Sequence, residues 1–329
     1  MSEIIVFSEI HQGILHSTSG ELIATARKLA DELNIKVSSA ILGGTNEHAE
    51  TAIAQGADKV YLAQSNEFIK GTADNFIAGL EQICIKINPV LILAAKTPLG
   101  RDVGPRLAYR LGTSAAQDCL GLFGDKDSRT ISVLRPVYGG SAVAKFEFSE
   151  NATNLAVMRV KAIEPLPEDK ERSGDIETVQ FNLEKSRIKT KLVETVVQEA
   201  EGIKLEDASV IIGGGRGLGG PEPFGQLEEL AKVFNGAVGA SRAVCDAGWL
   251  DHAFQIGLTG KTVTPDLYIM IGISGASQHM AGCSASKNIV AINKDGDANI
   301  FKEARYGVIG DWEKVLPSFT STVKELMKS

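Results

Sequence analysis

A glycine-rich segment, Gly213–Gly220, holds the first residues whose spacing suggests chemistry. It contains the pattern G-x-G-x-x-G at Gly215–Gly220 and follows the apolar run Ser209–Ile212. This arrangement is typical of loops that bring backbone amides to a phosphate group. A nicotinamide site would also need an acidic residue about 20 residues later to bind the ribose hydroxyls. The next apolar run ends instead in Ser241 and Arg242, so the glycine pattern alone indicates either an anionic ligand or a structural turn.

Polar side chains follow the other apolar runs of the C-terminal third. Because the carboxyl ends of parallel strands meet at one edge of a sheet, these side chains should converge on one crevice. They offer hydroxyls, amides, one guanidinium and one imidazole, which suits a long ligand with a diphosphate, ribose hydroxyls and a hydrogen-bonding ring. The pattern contains no nucleophile elbow and no paired carboxylates, which disfavours a hydrolase. The segments are Ser241-Arg242, Gly257–Lys261, Ser274–His279, Asn293–Asp295 and Asp311.

Composition limits the class of protein further. The chain has 329 residues, of which 43% are hydrophobic and 23% charged, a globular balance sufficient for about two domains. A net charge of −7 disfavours a nucleic-acid surface. The apolar runs are far shorter than the ~20 residues of a membrane span, and no signal or transit pattern begins the sequence. We expect a cytoplasmic protein without a membrane span.

The cysteine pattern argues against a metal centre. Cys84, Cys119, Cys245 and Cys283 form no C-x-x-C pair, so we expect reduced, buried thiols. His279 and Cys283 have H-x₃-C spacing, but two ligands without a third do not make a metal site. Any redox chemistry must therefore come from a bound organic cofactor.

The first half of the chain alternates strand-like runs with helical patterns, which predicts βαβ units and a parallel sheet. Thr18–Glu21 is a capping box that should open a helix, and Pro98–Gly100 should break the chain before a helix at Arg101–Leu111. The predicted strands are Ile4–Phe7, Val37–Leu42, Lys59–Leu62 and Val90–Ala94.

Three consecutive strand-like runs then predict a small antiparallel patch added to the sheet: Ile131–Leu134, Ala142–Phe148 and Leu155–Val160. The charged stretch Glu164–Arg187 is predicted to be an exposed connection, followed by a strand-like run at Lys191–Val197.

The rest of the chain predicts a doubly wound, Rossmann-like domain. Its glycine loop is followed by prolines, which favour a helix start near Glu222, and an amphipathic helix at Trp312–Met327 closes the chain. We therefore expect an α/β protein with an N-terminal domain at 1–198 and a ligand-binding domain at 199–329. The additional strands are predicted at Ala237–Gly239, Leu267–Gly272, Ile289–Asn293 and Tyr306–Ile309.

Several linked segments resemble the alpha subunit of electron transfer flavoprotein, in the order of that family. Gly100–Asp102 and Pro105–Leu107 are also similar to the family, so the resemblance covers essentially the whole chain. The C-terminal segments that carry it are Gly214–Leu218, Val238–Ala243, Gly257–Lys261, Pro265–Ile269, Gly272–His279 and Val290–Asp295.

The resemblance implies FAD as the cofactor, with no catalytic residue and no metal ligand. It places Arg216 near the diphosphate and adenosine, Arg242 against the flavin, Thr259 near flavin N5 and His279 at the pyrimidine edge. Leu258 stands where the family usually has Gln, so the resemblance does not extend to one side-chain contact to the flavin. The implied FAD-binding positions are Arg216, Ser241, Arg242, Gln255, Ile256, Gly257, Leu258, Thr259, Ser274, Gly275, Ala276, Ser277, Gln278, His279, Asn293, Asp311 and Trp312.

The resemblance also implies an electron carrier rather than an enzyme with its own turnover. Its partners would be a beta subunit holding AMP or a second FAD, an acyl-CoA-type dehydrogenase as donor, and a quinone oxidoreductase or other acceptor. In bifurcating relatives, NADH, ferredoxin and a CoA substrate take part instead. Two alternatives stay open: an NADP-dependent oxidoreductase with Arg242 on a 2′-phosphate, and a regulatory module that binds an adenine nucleotide in the first domain.

Overall fold

A computed structural model of the chain describes residues 3–69, 71–138, 142–148, 152–184, 187–194 and 203–327. The described residues divide into two compact units. Unit 1 comprises the described residues up to 194, and unit 2 comprises residues 203–327. The boundary predicted between residues 198 and 199 lies outside the described residues.

Unit 1 is built on a parallel sheet of seven strands, in the order β12-β5-β4-β1-β6-β11-β7. Its central strands are apolar because helices cover both faces, and two separate cores form on the two sides. The strands are β1 (Glu3–Ser8), β4 (Lys36–Leu42), β5 (Lys59–Ala63), β6 (Leu91–Ala95), β7 (Ala115–Cys119), β11 (Asn154–Met158) and β12 (Asp175–Thr178). The helices are α1 (Ser17–Leu33), α2 (Asn46–Ala54), α3 (Asn66–Ile69), α4 (Ala73–Ile87) and α5 (Pro98–Arg110).

Two small antiparallel sheets complete unit 1. One is a hairpin of β2 (Ile10–His11) and β3 (Ile14–Leu15). The other has three strands in the order β10-β9-β8. They are β8 (Gly121–Gly124), β9 (Ile131–Val137) and β10 (Ala142–Glu147).

Two of the predicted helix starts are wrong. Helix α1 is capped by His16, whose side chain accepts a hydrogen bond from the Thr18 amide, so Thr18 is already inside the helix. Glu21 does not complete a capping box, because its carboxylate accepts a hydrogen bond from the Lys161 amide. Helix α5 begins at Pro98, since Thr97 caps it and proline is tolerated in the first turn.

The predicted antiparallel patch is correct for two of its three runs. The third run forms β11, which pairs in parallel between β6 and β7 in the main sheet. Every residue of β11 is buried, so it has the continuous apolar character of a central parallel strand. Local sequence order could not show this, because its sheet neighbours lie far away along the chain.

The charged stretch 164–187 is more than an exposed connection. It contains β12, an edge strand parallel to β5, and Glu177 of this strand pairs with Lys59 and Lys86. Phe181 also packs against the core of unit 1. The predicted strand at Lys191–Val197 is wrong for residues 191–194, which have no regular structure, and its remainder lies outside the described residues.

Unit 2 is built on a five-stranded parallel sheet in the order β14-β13-β15-β16-β17. Apolar cores lie on both faces of this sheet. The strands are β13 (Val210–Gly214), β14 (Ala237–Ala240), β15 (Leu267–Ile271), β16 (Ile289–Asn293) and β17 (Tyr306–Ile309). The helices are α6 (Phe224–Val233), α7 (Arg242–Asp246), α8 (Ser277–Met280), α9 (Ile300–Glu303) and α10 (Trp312–Leu326), with single 3₁₀ turns at Arg216–Leu218 and His252–Phe254.

The four cysteines are free and buried, as predicted. Burial raises the pKa of Cys84, Cys119 and Cys283 to about 12 and that of Cys245 to about 11. The thiols are therefore protonated packing groups at neutral pH. No helix among the described residues is long and apolar enough to cross a membrane.

Candidate functional site

A crevice opens at the carboxyl ends of the strands of unit 2. From β13 the chain passes first to β14 on one side and then to β15, β16 and β17 on the other. The connections on the two sides of β13 therefore separate at its carboxyl end, the usual place for a ligand in a parallel sheet. The crevice has a volume of about 960 Å³, which is within the range of small-molecule and cofactor sites.

Most of the predicted cofactor-binding residues line this crevice. Gly275 and Ser277 are not among the lining residues but lie between them on the turn after β15. The predicted residues that line the crevice are Arg216, Ser241, Arg242, Gln255, Ile256, Gly257, Leu258, Thr259, Ser274, Ala276, Gln278, His279 and Asn293.

Asp311 and Trp312 lie at the start of α10 and are not among the residues that line the crevice. The Asp311 carboxylate caps the helix by accepting a hydrogen bond from the Glu313 amide. Trp312 is half-buried against the core on one face of the sheet. Contacts of these two residues to FAD stay a prediction.

The glycines after β13 allow two loops to cross closely. A Cβ atom on Gly215 would lie 2.2 Å from the carbonyl oxygen of Gly272, and one on Gly217 would lie 2.8 Å from the same atom. The Gly217 amide donates a hydrogen bond to this carbonyl. The G-x-G pattern therefore joins the loop after β13 to the turn after β15, and Arg216 projects from the joined loops with its side chain exposed on the crevice wall.

A hydrogen-bonded turn at 255–261 carries Thr259 and Leu258. Its backbone is held at both ends, because the Ile256 amide donates to Ala240 and the Lys261 amide donates to Gln255. The Leu258 amide donates to the carbonyl of Gln278, which ties this turn to α8. Leu258 is 43% exposed, so the residue that replaces the family's Gln is available to a bound ligand.

His279 forms a buried part of the crevice wall. Its Nε2 lies 3.3 Å from the hydroxyl of Tyr268, whereas its buried Nδ1 has no hydrogen-bond partner among the described residues. Burial lowers the pKa of His279 to about 4, and a weak backbone interaction with Ile256 only partly opposes this effect. The imidazole is therefore neutral at pH 7, with one nitrogen left for a ligand or a water molecule.

Charged side chains of both signs line the crevice. Arg242 is paired through Nε with Asp246, 3.1 Å away. Arg216 also lines the crevice and makes no ion pair with a described carboxylate. Asp295 and Asp297 line it as well. The crevice therefore has two guanidinium groups, one from Arg216 and one from Arg242.

Several lining residues were missed as cofactor contacts. Asp246 lies four positions after Arg242 on α7, and this i,i+4 spacing is a signal that could have revealed the pair. The polar segment after β16 continues beyond Asp295, which could have indicated the residues that follow. The missed lining residues are Gly217, Ala243, Asp246, Gly272, Ile273, Asp295, Asp297, Ala298 and Asn299.

Comparison with known proteins gives matches in both parts of the chain. The electron transfer flavoprotein FAD-binding domain matches residues 204–284, and the electron transfer flavoprotein domain matches residues 4–183. An electron transfer flavoprotein subunit alpha of Thermoanaerobacterium thermosaccharolyticum is 38% identical, covering 98% of both chains. One of Megasphaera elsdenii is 40% identical over 98% of this chain and 96% of its own. The acryloyl-CoA reductase electron transfer subunit beta of Anaerotignum propionicum is 34% identical over 98% and 96%.

The fold and the crevice define an α/β protein with a cofactor-binding domain at its C-terminal end. The chain belongs to the electron transfer flavoprotein alpha-subunit family, and its cofactor is FAD. The crevice fits this group, because it combines guanidinium groups for a diphosphate, hydroxyls and amides for a polyol, and a buried imidazole nitrogen without a partner. The electron transfer role and FAD binding predicted from the sequence are thus confirmed.

Proposed function

We propose that this chain is the FAD-holding subunit of a heterodimeric electron carrier, with FAD in the crevice of unit 2. The observation that carries the proposal is the convergence of most of the predicted residues on one crevice, and all of these except Asn293 lie within the matched FAD-binding region. The domain would be of the doubly wound, Rossmann-like type, in agreement with the strand order and the cores on both faces of the sheet. We place its start at residue 199.

Bound FAD would supply the redox chemistry, and the residues of the crevice would bind and orient it. Arg216 would contact the diphosphate, and the Arg242 guanidinium would stabilise negative charge that develops on the ring. The Ser274 hydroxyl and the turn that carries it would meet the polyol chain. His279, which is neutral at pH 7, would hold a neutral hydrogen bond to the ring edge.

A beta subunit would complete the carrier, holding AMP or a second FAD. Many of the lining side chains are exposed, including those of Arg216, Arg242 and Leu258, so a partner subunit could cover one side of the bound group. The name of the relative from Anaerotignum propionicum joins an electron transfer subunit with an acryloyl-CoA reductase. This favours an acyl-CoA-type enzyme as one redox partner, with a quinone oxidoreductase or ferredoxin as the other. The cytoplasmic location stays a prediction.

Co-expression with the beta subunit tests the proposal. The purified complex should show flavin absorbance, and denaturation should release one FAD bound by this chain, plus AMP or a second FAD from the partner. Reduction should follow from an acyl-CoA substrate with its dehydrogenase, or from NADH in a bifurcating complex. A colourless complex that binds NADP or ATP without flavin would contradict the proposal and favour one of the two alternatives.

A further inference from the structure

A chain of three hydrogen-bonded side chains leads from the surface of unit 2 to the crevice. His252 Nδ1 lies 2.9 Å from Gln255 Oε1, and Gln255 Nε2 lies 3.0 Å from Thr259 Oγ1. Gln255 and Thr259 line the crevice, whereas His252 is not among its described lining residues. Gln255 is 5% exposed, while His252 and Thr259 are exposed. His252 therefore reaches the site through one buried side-chain amide, that of Gln255.

The backbone around this chain is closely held. The backbone N–H of Gln255 donates to the backbone carbonyl of His252, and the backbone carbonyl of Gln255 accepts from the backbone N–H of Lys261. A Cβ atom on Gly260 would lie 2.4 Å from the Gln255 carbonyl oxygen, so the turn packs tightly on this residue. Asp251 caps the His252 turn by accepting from the Ala253 amide. The backbone that carries the three side chains is thus held, whereas the direction of the hydrogen bond between His252 and Gln255 depends on the His252 tautomer.

The side-chain amide of Gln255 couples the direction of its hydrogen bond with His252 to the direction of its hydrogen bond with Thr259. A primary amide has one acceptor end and one donor end. When Oε1 accepts a proton from His252 Nδ1, Nε2 donates to Thr259, and the Thr259 hydroxyl proton is free for the crevice. When the amide is reversed, Nε2 donates to an unprotonated Nδ1 and Oε1 accepts the Thr259 proton. Thr259 then presents only lone pairs to the crevice.

We propose that His252 is a positioning residue that holds a proton on Nδ1, orients the Gln255 amide and so makes Thr259 a donor toward the group in the crevice. The inference rests on the proposed function, which places FAD there. A donor matters most when the acceptor gains negative charge, because charge-assisted hydrogen bonds are about twice as strong as neutral ones. His252 therefore favours the one-electron-reduced cofactor over the oxidised cofactor without touching it.

Other charges near His252 must be separated from this effect. The elements packed against its turn are α7 and β14. Helix α7 carries Arg242, Cys245 and Asp246, β14 carries no titratable side chain, and Asp251 lies on the turn itself. A new charge at position 252 would add to this field and could change the potential of FAD directly. The test must therefore remove the Thr259 hydroxyl as well.

The experiment compares His252→Asp with His252→Asn in the complete complex with its partner subunit. An Asp side chain offers only acceptors and reverses the Gln255 amide, whereas Asn can still donate near the position of Nδ1. Redox titration of the one-electron step gives the ratio of the affinities of the complex for one-electron-reduced and oxidised FAD. We expect this ratio to fall about tenfold in His252→Asp, equal to about 59 mV for a one-electron step. In His252→Asn it should stay within about twofold of the parent.

Thr259→Val, which removes the hydroxyl but keeps the side-chain shape, provides the decisive background. When His252→Asp is added to Thr259→Val, the ratio of affinities for reduced and oxidised FAD should change by less than about twofold. An equal effect with and without the Thr259 hydroxyl would overturn the relay and show a direct field effect, and so would an unchanged ratio in His252→Asp alone. If Thr259→Val itself leaves the ratio unchanged, Thr259 does not face the ring and the inference fails although FAD is bound. A parent complex without FAD contradicts the proposed function instead.

Discussion

At the scale of single residues, each polar group of the crevice is set by its immediate partners. Asp246 forms an ion pair with Arg242. The side-chain amide of Asn293 makes two hydrogen bonds, since its Nδ2 donates to the Ile273 carbonyl and its Oδ1 accepts from the Asp295 backbone N–H. His279 keeps a nitrogen without a partner in a buried position. The groups that remain available for FAD are thus fewer than the lining residues suggest.

Arg242 and Asp246 should tune the flavin potential in opposite directions. Arg242→Ala removes a cation and should disfavour the reduced cofactor by about 1 kcal/mol, because the side chain is 66% exposed and already paired. Asp246→Asn frees the guanidinium and should favour the reduced cofactor by a similar amount. Redox titration of both variants beside the parent measures this. Shifts of the same sign would show that the pair acts through structure rather than charge.

His279 should make unit 2 sensitive to mild acid. Burial lowers its pKa from an ordinary 6.5 to about 4, so the folded state binds a proton less readily than the unfolded state. The contribution of the neutral His279 to the free energy of unfolding is complete above pH 6.5. It is lost as the pH falls toward 4, by about 3 kcal/mol in total. Urea unfolding of the flavin-free protein at pH 7.5 and pH 5 should show about 2 kcal/mol of this loss, because pH 5 lies about 1.5 units below the ordinary pKa of 6.5.

His279→Gln is the matched control, because a neutral amide does not titrate. Every other titrating group is common to both proteins. A change with pH in the difference between their unfolding free energies therefore reports His279 alone, and the parent should lose more stability than the variant as the pH falls. A parallel pH profile for the two proteins would contradict a buried, neutral His279.

At the scale of elements, the crevice depends on the crossing of the loop after β13 with the turn after β15. Gly215 has an ordinary φ of −109°, so its backbone conformation does not require glycine. The requirement comes from space, since a Cβ atom would meet the Gly272 carbonyl. The glycine-rich pattern is therefore an element-packing signal as well as a ligand signal.

Two glycine-to-alanine variants separate these cases. Gly215→Ala should lower the unfolding free energy by about 2–3 kcal/mol and weaken FAD retention, because the two loops must move apart. Gly225→Ala is the control, since a Cβ atom there meets nothing within 4 Å. On helix α6 it should be neutral or stabilising by up to about 1 kcal/mol. Urea unfolding and FAD content check both variants, and equal behaviour would contradict the crossing.

At the scale of the whole molecule, the chain consists of two units, each with its own parallel sheet and its own pair of cores. The residues that line the crevice all belong to unit 2. Unit 1 has a different set of polar contacts, including Asp118, which pairs with both Lys96 and Arg159. We therefore expect FAD binding to be separable from the fold of unit 1.

A fragment of residues 203–329 should fold and bind FAD, with lower affinity than the complete complex, because the partner subunit would cover the exposed side of the crevice. Flavin fluorescence during titration measures the affinity. The matched fragment, residues 1–194, should bind no FAD. Flavin binding by the N-terminal fragment would contradict the location of the site.

The sequence by itself determined the strands of unit 2 and most of the crevice. Each apolar run is short and ends in or is followed by polar residues or glycine, as at Asn293, the last residue of β16, so local order is enough to place them. It also indicated buried cysteines, because cysteine is among the most buried residue types.

Tertiary structure alone decided the features that depend on distant neighbours. The insertion of β11 between β6 and β7 and the addition of β12 beside β5 join segments far apart in the chain. The connection of His252 to Thr259 passes through the Gln255 side chain, and residue spacing carries no information about the direction of an amide. Spacing along a strand or helix follows a fixed period, whereas the sheet contacts arise only when separate elements pack together. The contacts within 252–259 are local, but they lie on irregular backbone that has no period.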